Sequence, residues 1–138
     1  MTAYLDSSVL LRLILGHRDR LKEWKRVRQG VVSALAEVEC LRTLDRLRSA
    51  RNLKDDELAR RREAVYRLLD EVEVIDVGRP VLTRAAQPFP TPLGTLDAIH
   101  LSTALLWREQ SDGEIVMATH DAALGTAARA SGLGVIGV

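Results

Sequence analysis

Strand-like and helix-like segments alternate nearly throughout this chain. That alternation restricts the fold to a largely parallel sheet with helices on both faces, joined by right-handed crossovers. Ala3 to Leu5 read as a short strand ending at Asp6, and Ser7 opens a helix through Val9, Leu10, Leu13 and Ile14 that stops near Gly16. Residues 18–28 are expected as a solvated helix with Leu21, Trp24 and Val27 turned inward. Val31 and Val32 form a small strand, and Ser33 caps a long helix with the stripe Leu35, Val38, Leu41 and Leu44. A turn over 52–56 leads to a helix over 55–70, with Leu58, Val65, Leu68 and Leu69 inward. The β-branched run Val72, Val74, Ile75 and Val77 then suits a third strand. Pro80 fits the first turn of another helix, and Pro88, Pro90, Pro92 and Gly94 make 87–94 a loop. A helix over 96–109, a strand at Ile115 to Ala118 buried on both faces, an alanine-rich helix from Asp121 to Gly132 and a last strand at Val135–Ile136 complete the pattern. At 138 residues the chain fits one domain, residues 1–138. The expectation is a three-layer α/β/α domain with a mostly parallel central sheet of four or five short strands.

Composition narrows the partners less than the fold. Hydrophobic residues are 46% of the chain, enough for a sizeable core, and 20 Lys and Arg stand against 19 Asp and Glu. Distribution is more telling than this balance. Arg18, Arg20, Lys22, Lys25, Arg26 and Arg28 are offset locally only by Asp19 and Glu23, so the segment is either a contact for RNA phosphates or a solvated face. Arg46, Arg48 and Arg51 raise the same question, whereas Trp24 and Trp107 occupy apolar helix positions and read as packing. Cys40 is the only cysteine, which excludes an internal disulfide and makes a reducing cytoplasm the expected compartment. No apolar stretch approaches the length of a membrane span, so no membrane association is expected.

Four acids carry the chemistry. Asp6 and Asp121 stand at strand ends, where ligands gather in open parallel sheets; Asp97 stands in the first turn of a helix, and Glu39 lies beside an apolar stripe. A buried carboxylate is costly without a positive partner, and several together with no matching bases call for a divalent cation. Mg²⁺ and Mn²⁺ prefer oxygen ligands, and one or two such ions, typically about 3.5–4 Å apart when paired, can activate a water for phosphodiester hydrolysis. Each acid also has a plainer explanation. Asp6, Asp97 and Asp121 can serve helix N-termini, and Glu39 can pair with Arg42 for about 0.2–0.5 kcal/mol. Helical periodicity places Glu37 nearer the centre of the apolar arc than Glu39. His100 reads as a packing or hydrogen-bonding residue, with metal ligation or proton transfer as the alternative; His120 reads as a loop residue, with RNA contact as the alternative, and His17 as surface. The histidines form no zinc motif, and Gly132 and Gly134 form no phosphate-binding loop.

Four segments, in order, resemble the motifs of the PIN-domain family, in particular its VapC-type toxin ribonucleases. They are Tyr4 to Leu10, Ser33 to Arg42, Leu96 to Ala104, and Thr119-His120-Asp121 with Leu124, Ala127-Ala128 and Gly132. The resemblance spans almost the whole chain. It implies a PIN-like nuclease domain whose metal-binding catalytic acids are Asp6, Glu39, Asp97 and Asp121, with motif register selecting Glu39 over Glu37. It implies that Ser8 and Thr119 support the acids, and that Mg²⁺ or Mn²⁺ is the cofactor. Also implied are RNA cleavage leaving 5′-phosphate and 3′-hydroxyl ends, a homodimer, and a cognate VapB-like antitoxin covering the active site. Two rivals stand beside it. One is a noncatalytic PIN-like module that receives a basic partner segment. The other is a phosphatase or phosphotransfer domain, which the absence of a second Asp two residues after Asp6 disfavours.

Overall fold

The computed structural model describes residues 1–138. Its elements run β1 (Thr2–Leu5), α1 (Ser7–Ile14), a 3₁₀ turn (Lys22–Arg26), β2 (Gln29–Ser33), α2 (Leu35–Arg51), α3 (Asp55–Glu71), β3 (Glu73–Ile75), α4 (Arg79–Ala85), α5 (Thr95–Ser111), β4 (Val116–Ala118), α6 (Ala122–Ala130) and β5 (Gly134–Ile136). The five strands form one sheet in the order β3-β2-β1-β4-β5, and every pairing is parallel. The three-layer α/β/α architecture with short parallel strands is therefore the fold adopted.

Period-two alternation divides the strand side chains between two cores. Ala3 and Leu5 of β1, Val32 of β2 and Ala118 of β4 join a cluster with Val9, Leu10 and Ile14 of α1, Ala36, Cys40 and Leu44 of α2 and Val65 of α3. Tyr4, Val31 and Met117 point the other way, into a cluster with Leu101, Ala104 and Leu105 of α5 and Leu124, Ala127 and Ala128 of α6. Central β1 is thus buried on both faces, as its apolar run requires. The edge strands β3 and β5 have three residues each, short enough to limit unwanted edge pairing.

Two segments depart from the sequence reading. In α2 the buried line is Ala36, Cys40 and Leu44, while Val38 is 53% exposed. The small side chains of Ala36 and Cys40 allow the helix to approach the sheet closely, so bulk alone misplaces its inner face. The segment 18–28 forms only the short 3₁₀ turn at Lys22–Arg26, flanked by Leu21 and Val27 with extended ψ values of 117° and 114°. A full helix would stack Arg18 over Lys22, Lys22 over Arg26 and Lys25 over Arg28, like charges three or four residues apart. Leu21 is nonetheless buried, and Trp24 and Val27 pack against the first core as expected.

At Gly30, β2 packs closely against its neighbours. A Cβ there would stand 2.8 Å from Val72 Cγ1 and 2.9 Å from Leu5 Cδ1. Gly30→Ala is expected to lower stability by about 1–3 kcal/mol through overpacking. The measurement is the urea unfolding midpoint, and an unchanged midpoint would show that β2 has room the structure does not give it.

Candidate functional site

The strand order places a topological switch between β1 and β4, since the chain builds outward from β1 through β2 to β3 and then returns to add β4 and β5 on the other side. Crevices beyond the carboxyl ends of strands at such a point are the natural ligand sites of open α/β sheets. Asp6 ends β1 there, only 5% exposed, and its backbone N–H donates to Ala118 O of β4 at 3.0 Å. Two hydroxyls hold its carboxylate: Ser8 Oγ donates to Oδ2 at 2.7 Å, and Thr119 Oγ1 donates to the same oxygen at 2.9 Å. Each hydroxyl is itself oriented by the loop after β4. Ser8 Oγ accepts from His120 N at 3.0 Å, and Thr119 Oγ1 accepts from Asp121 N at 3.0 Å. Asp6 Oδ1 is left without a hydrogen bond from the protein.

Glu39 reaches the crevice from α2, and Glu37 makes no comparable contact. Glu39 Oε1 accepts from Ser7 Oγ and from His100 Nε2, each at 2.6 Å. His100, wholly buried on α5, places Nε2 3.9 Å from Asp6 Oδ1 and Nδ1 2.6 Å from the Tyr4 hydroxyl. A continuous line therefore runs Tyr4–His100–Glu39 across the ends of the sheet. The hydrogen-bonding reading of His100 is correct, but its position between two acids was not apparent from spacing. The only available signal was its place one helical turn after Asp97.

The electrostatics agree with the geometry. Burial alone would lower the His100 pKa, but the hydrogen bond to Glu39 and the charges of Asp6, Glu39 and Asp97 raise it. Burial would raise the Glu39 pKa, yet the hydrogen bonds from His100 and Ser7 and the imidazolium charge hold it below its ordinary value. Asp97 is different. Desolvation, then the charges of Asp121, Asp6 and Glu39, push its carboxyl up, with His100 the one opposing influence. No protein hydrogen bond steadies the Asp97 carboxylate. Asp121 caps α6, with Oδ1 accepting from Leu124 N at 2.9 Å, and its other oxygen takes no protein hydrogen bond. The nearby Cys40 thiol is pushed up to about 12 by burial, then by Glu39 and Asp6, which removes it as a nucleophile at neutral pH.

Asp97 thus feels the charges of the other three sequence-selected acids, Asp6, Glu39 and Asp121. As the side chains stand, no three Asp, Glu, His or Cys donors are grouped closely enough to hold one ion. Their chemistry still fits a hard divalent cation: all four acids offer oxygen, each keeps at least one oxygen free of protein hydrogen bonds, and Asp97 carries repulsion that His100 only partly offsets and a cation would relieve. Of the sequence-selected bases, Arg18, Arg20 and Lys22 line a groove beside this crevice together with His120. Lys25, Arg26 and Arg28 lie on the segment leading into β2, where Arg26 O and Arg28 N bond to the backbone of Met1.

An acidic crevice at the switch point of a three-layer parallel domain defines a class of α/β protein suited to binding cations and anionic substrates. Within that class, the chain belongs to the PIN-domain family, whose pattern it matches over residues 3–130. It is related to VapC-type toxins, being 38% identical over 105 residues to Ribonuclease VapC46 of Mycobacterium tuberculosis (strain ATCC 25618 / H37Rv), 73% of this chain and 72% of that protein. Its fold resembles that of a toxin–antitoxin complex from Klebsiella pneumoniae, with a TM-score of 0.67 at 20% identity over 97% of this chain and 95% of that one. It likewise resembles VapBC2 from Rickettsia felis bound to a DNA fragment from their promoter, with a TM-score of 0.67 at 14% identity over 98% and 97% of the two chains.

The ion pair gives a pH signature. Glu39, depressed below 4.5, contributes stability that is present above pH 4.5 and lost as pH falls through its folded value. His100, raised above 6.5, contributes stability that is present below pH 6.5 and lost as pH rises through its folded value. The stability difference between the wild type and His100→Gln, measured by urea unfolding in EDTA, should therefore be greatest between pH 4.5 and 6.5. It should shrink on both sides, and a flat difference would mean that the pair is not ionised.

Proposed function

We propose that this chain is a Mg²⁺- or Mn²⁺-dependent endoribonuclease, the toxin of a toxin–antitoxin pair. The observation that carries this reading is the surplus of carboxylates at the switch point, with His100 the only basic side chain buried among them. Membership of the PIN-domain family and kinship with VapC-type toxins support a nuclease role in general.

Asp6, Glu39, Asp97 and Asp121 would hold the metal. When bound, such an ion supplies positive charge to the phosphodiester and lowers the pKa of a water toward neutrality. The chain's own groups do the rest. Ser8 and Thr119 fix the rotamer of Asp6 through one oxygen and leave the other toward the crevice. His100 and Ser7 do the same for Glu39. Exposed bases at 18–28 would retain the RNA backbone, while shape and unpaired bases would supply selectivity. In-line attack by water would leave a 5′-phosphate and a 3′-hydroxyl. We also infer a cognate VapB-like antitoxin, a homodimer and a cytoplasmic location; no helix is long and apolar enough to cross a membrane.

Incubation with mixed RNAs in Mg²⁺, Mn²⁺ or EDTA, followed by mapping of product ends, tests the reading. Removing an outer partner of a metal ligand typically costs about 10–100-fold in activity or affinity, so Asp6→Asn should cost more than about a hundredfold. Cleavage that persists in EDTA, or in folded Asp6→Asn, would reject the mechanism. No cleavage under any condition by a protein that binds a basic peptide at the acids would favour the noncatalytic module.

Asp97→Asn separates stability from activity. Because the folded protein raises the Asp97 pKa above 3.8, ionisation of this residue works against folding as pH rises past that value. The metal-free variant should therefore have a higher melting temperature than the wild type at neutral pH, lose the stabilisation that added Mg²⁺ or Mn²⁺ gives the wild type, and cleave no RNA. A lower melting temperature in EDTA would show that Asp97 is structural.

A further inference from the structure

We propose that the groove between the basic segment and the loop after β4 is a ribonucleotide subsite, in which Arg18, Arg20 and Lys22 take a phosphate and His120 accepts from a ribose 2′-hydroxyl. The proposal rests on the nuclease reading and adds a means of recognising RNA as distinct from DNA. The groove has a volume of about 300 Å³, at the lower end for small-ligand sites, and also contacts Arg12, Asp19 and Glu23. Its two acids do not cancel its bases. Arg12 is committed to Asp19 at 3.0 Å, whereas Arg18, Arg20 and Lys22 form no ion pair and are exposed. They are therefore available to a phosphate.

The second half of the inference comes from a tautomer. His120 Nδ1 lies 2.8 Å from Gly137 O. A carbonyl oxygen can only accept, so Nδ1 carries the hydrogen, and Nε2 of the neutral ring is a bare acceptor. That nitrogen is buried and has no hydrogen-bond partner. His120 lines the same groove as Arg18, Arg20 and Lys22, whose long, exposed side chains can move to admit a ligand. Within a strand, a ribonucleotide offers both an anion for three bases and a sugar hydroxyl donor for Nε2; an internal deoxyribonucleotide has no free sugar hydroxyl to donate. The location is apt as well. His120 sits between Thr119 and Asp121, and its backbone N–H donates to the Ser8 hydroxyl that holds Asp6. A strand crossing the acidic crevice would have a neighbouring nucleotide over this loop.

The test is binding of a short oligouridine and of its deoxy counterpart to the full chain in EDTA, followed by fluorescence anisotropy across a salt series. The wild type should prefer the ribo form. His120→Phe should reduce that preference by about three- to tenfold, the effect of one hydrogen bond, while leaving affinity for the deoxy form unchanged. Arg20→Ala should weaken both equally and reduce the slope of log affinity against log salt by about 0.7. Equal affinity of the wild type for both forms, equal loss for both in His120→Phe, or an unchanged slope in Arg20→Ala would overturn the subsite. Should His120→Phe fail to fold, the wild type still decides the matter: its His120 Nε2 resonance must shift with oligouridine and not with the deoxy form. Cleavage measured in parallel with Mg²⁺ keeps the two readings apart, since a chain that cuts RNA but fails these tests remains a nuclease without this subsite.

Discussion

The burial of one carboxylate, Asp6, governs the architecture of the site. A charge at the end of the central strand would be expensive in so dry a place. Two hydroxyls make it tolerable, and the origin of those hydroxyls matters more than their number. Ser8 lies in the first turn of the helix that follows β1, and Thr119 directly follows the strand that pairs with β1 from far along the chain. Each hydroxyl also accepts a backbone N–H from the loop that carries Asp121. Seating Asp6 therefore joins β1, α1 and β4 at the switch point, and the same bonds aim its unbonded oxygen at the crevice. The bonds that satisfy the buried charge also fix its rotamer.

The line Tyr4–His100–Glu39 extends this logic from the sheet to the helical layers. Tyr4 belongs to the core beneath α5, while the neighbours of Glu39 on α2 belong to the core on the opposite face. The two layers can meet only over the strand ends, and they do so through a buried imidazole. His100 is raised in pKa and Glu39 lowered, mutually consistent signs for an ionised pair. The pair neutralises one acid and leaves Asp97 and Asp121 facing Asp6 without equivalent compensation. The pocket is accordingly asymmetric: one side is satisfied internally, and the other holds like charges that His100 only partly opposes.

The layering was legible because period-two and helical patterns are properties of local sequence, and the strand-end acids were legible because apolar runs stop at them. What escaped depended on contacts between distant segments. Helical periodicity favours Glu37, yet Glu39 faces His100, because the small Ala36 and Cys40 determine which side of α2 meets the sheet. Val38 is bulky and exposed for the same reason. The basic segment was expected to be helical from its inward-facing Leu21, Trp24 and Val27, and those residues do pack inward. The segment that carries them forms only a single 3₁₀ turn, since their inward packing does not need a continuous helix. His120 illustrates the limit most clearly. Its fixed tautomer depends on Gly137 O, seventeen residues away on the far side of β5, and nothing in the local sequence signals that partner.

Asp97 shows how a stable fold coexists with a site that opposes it. It occupies the first turn of α5, where the helix dipole offers mild support to a negative charge. Desolvation and three neighbouring acids act in the other direction and prevail, so the carboxyl is raised rather than lowered. A residue chosen only for stability at this position would be neutral. Retaining an acid there concentrates unbalanced charge where a cation and a phosphodiester could meet, while the cores on both faces of β1 supply the stability needed to bear it. The repulsion is local and electrostatic, confined to side chains beyond the strand ends, and leaves the sheet pairing intact.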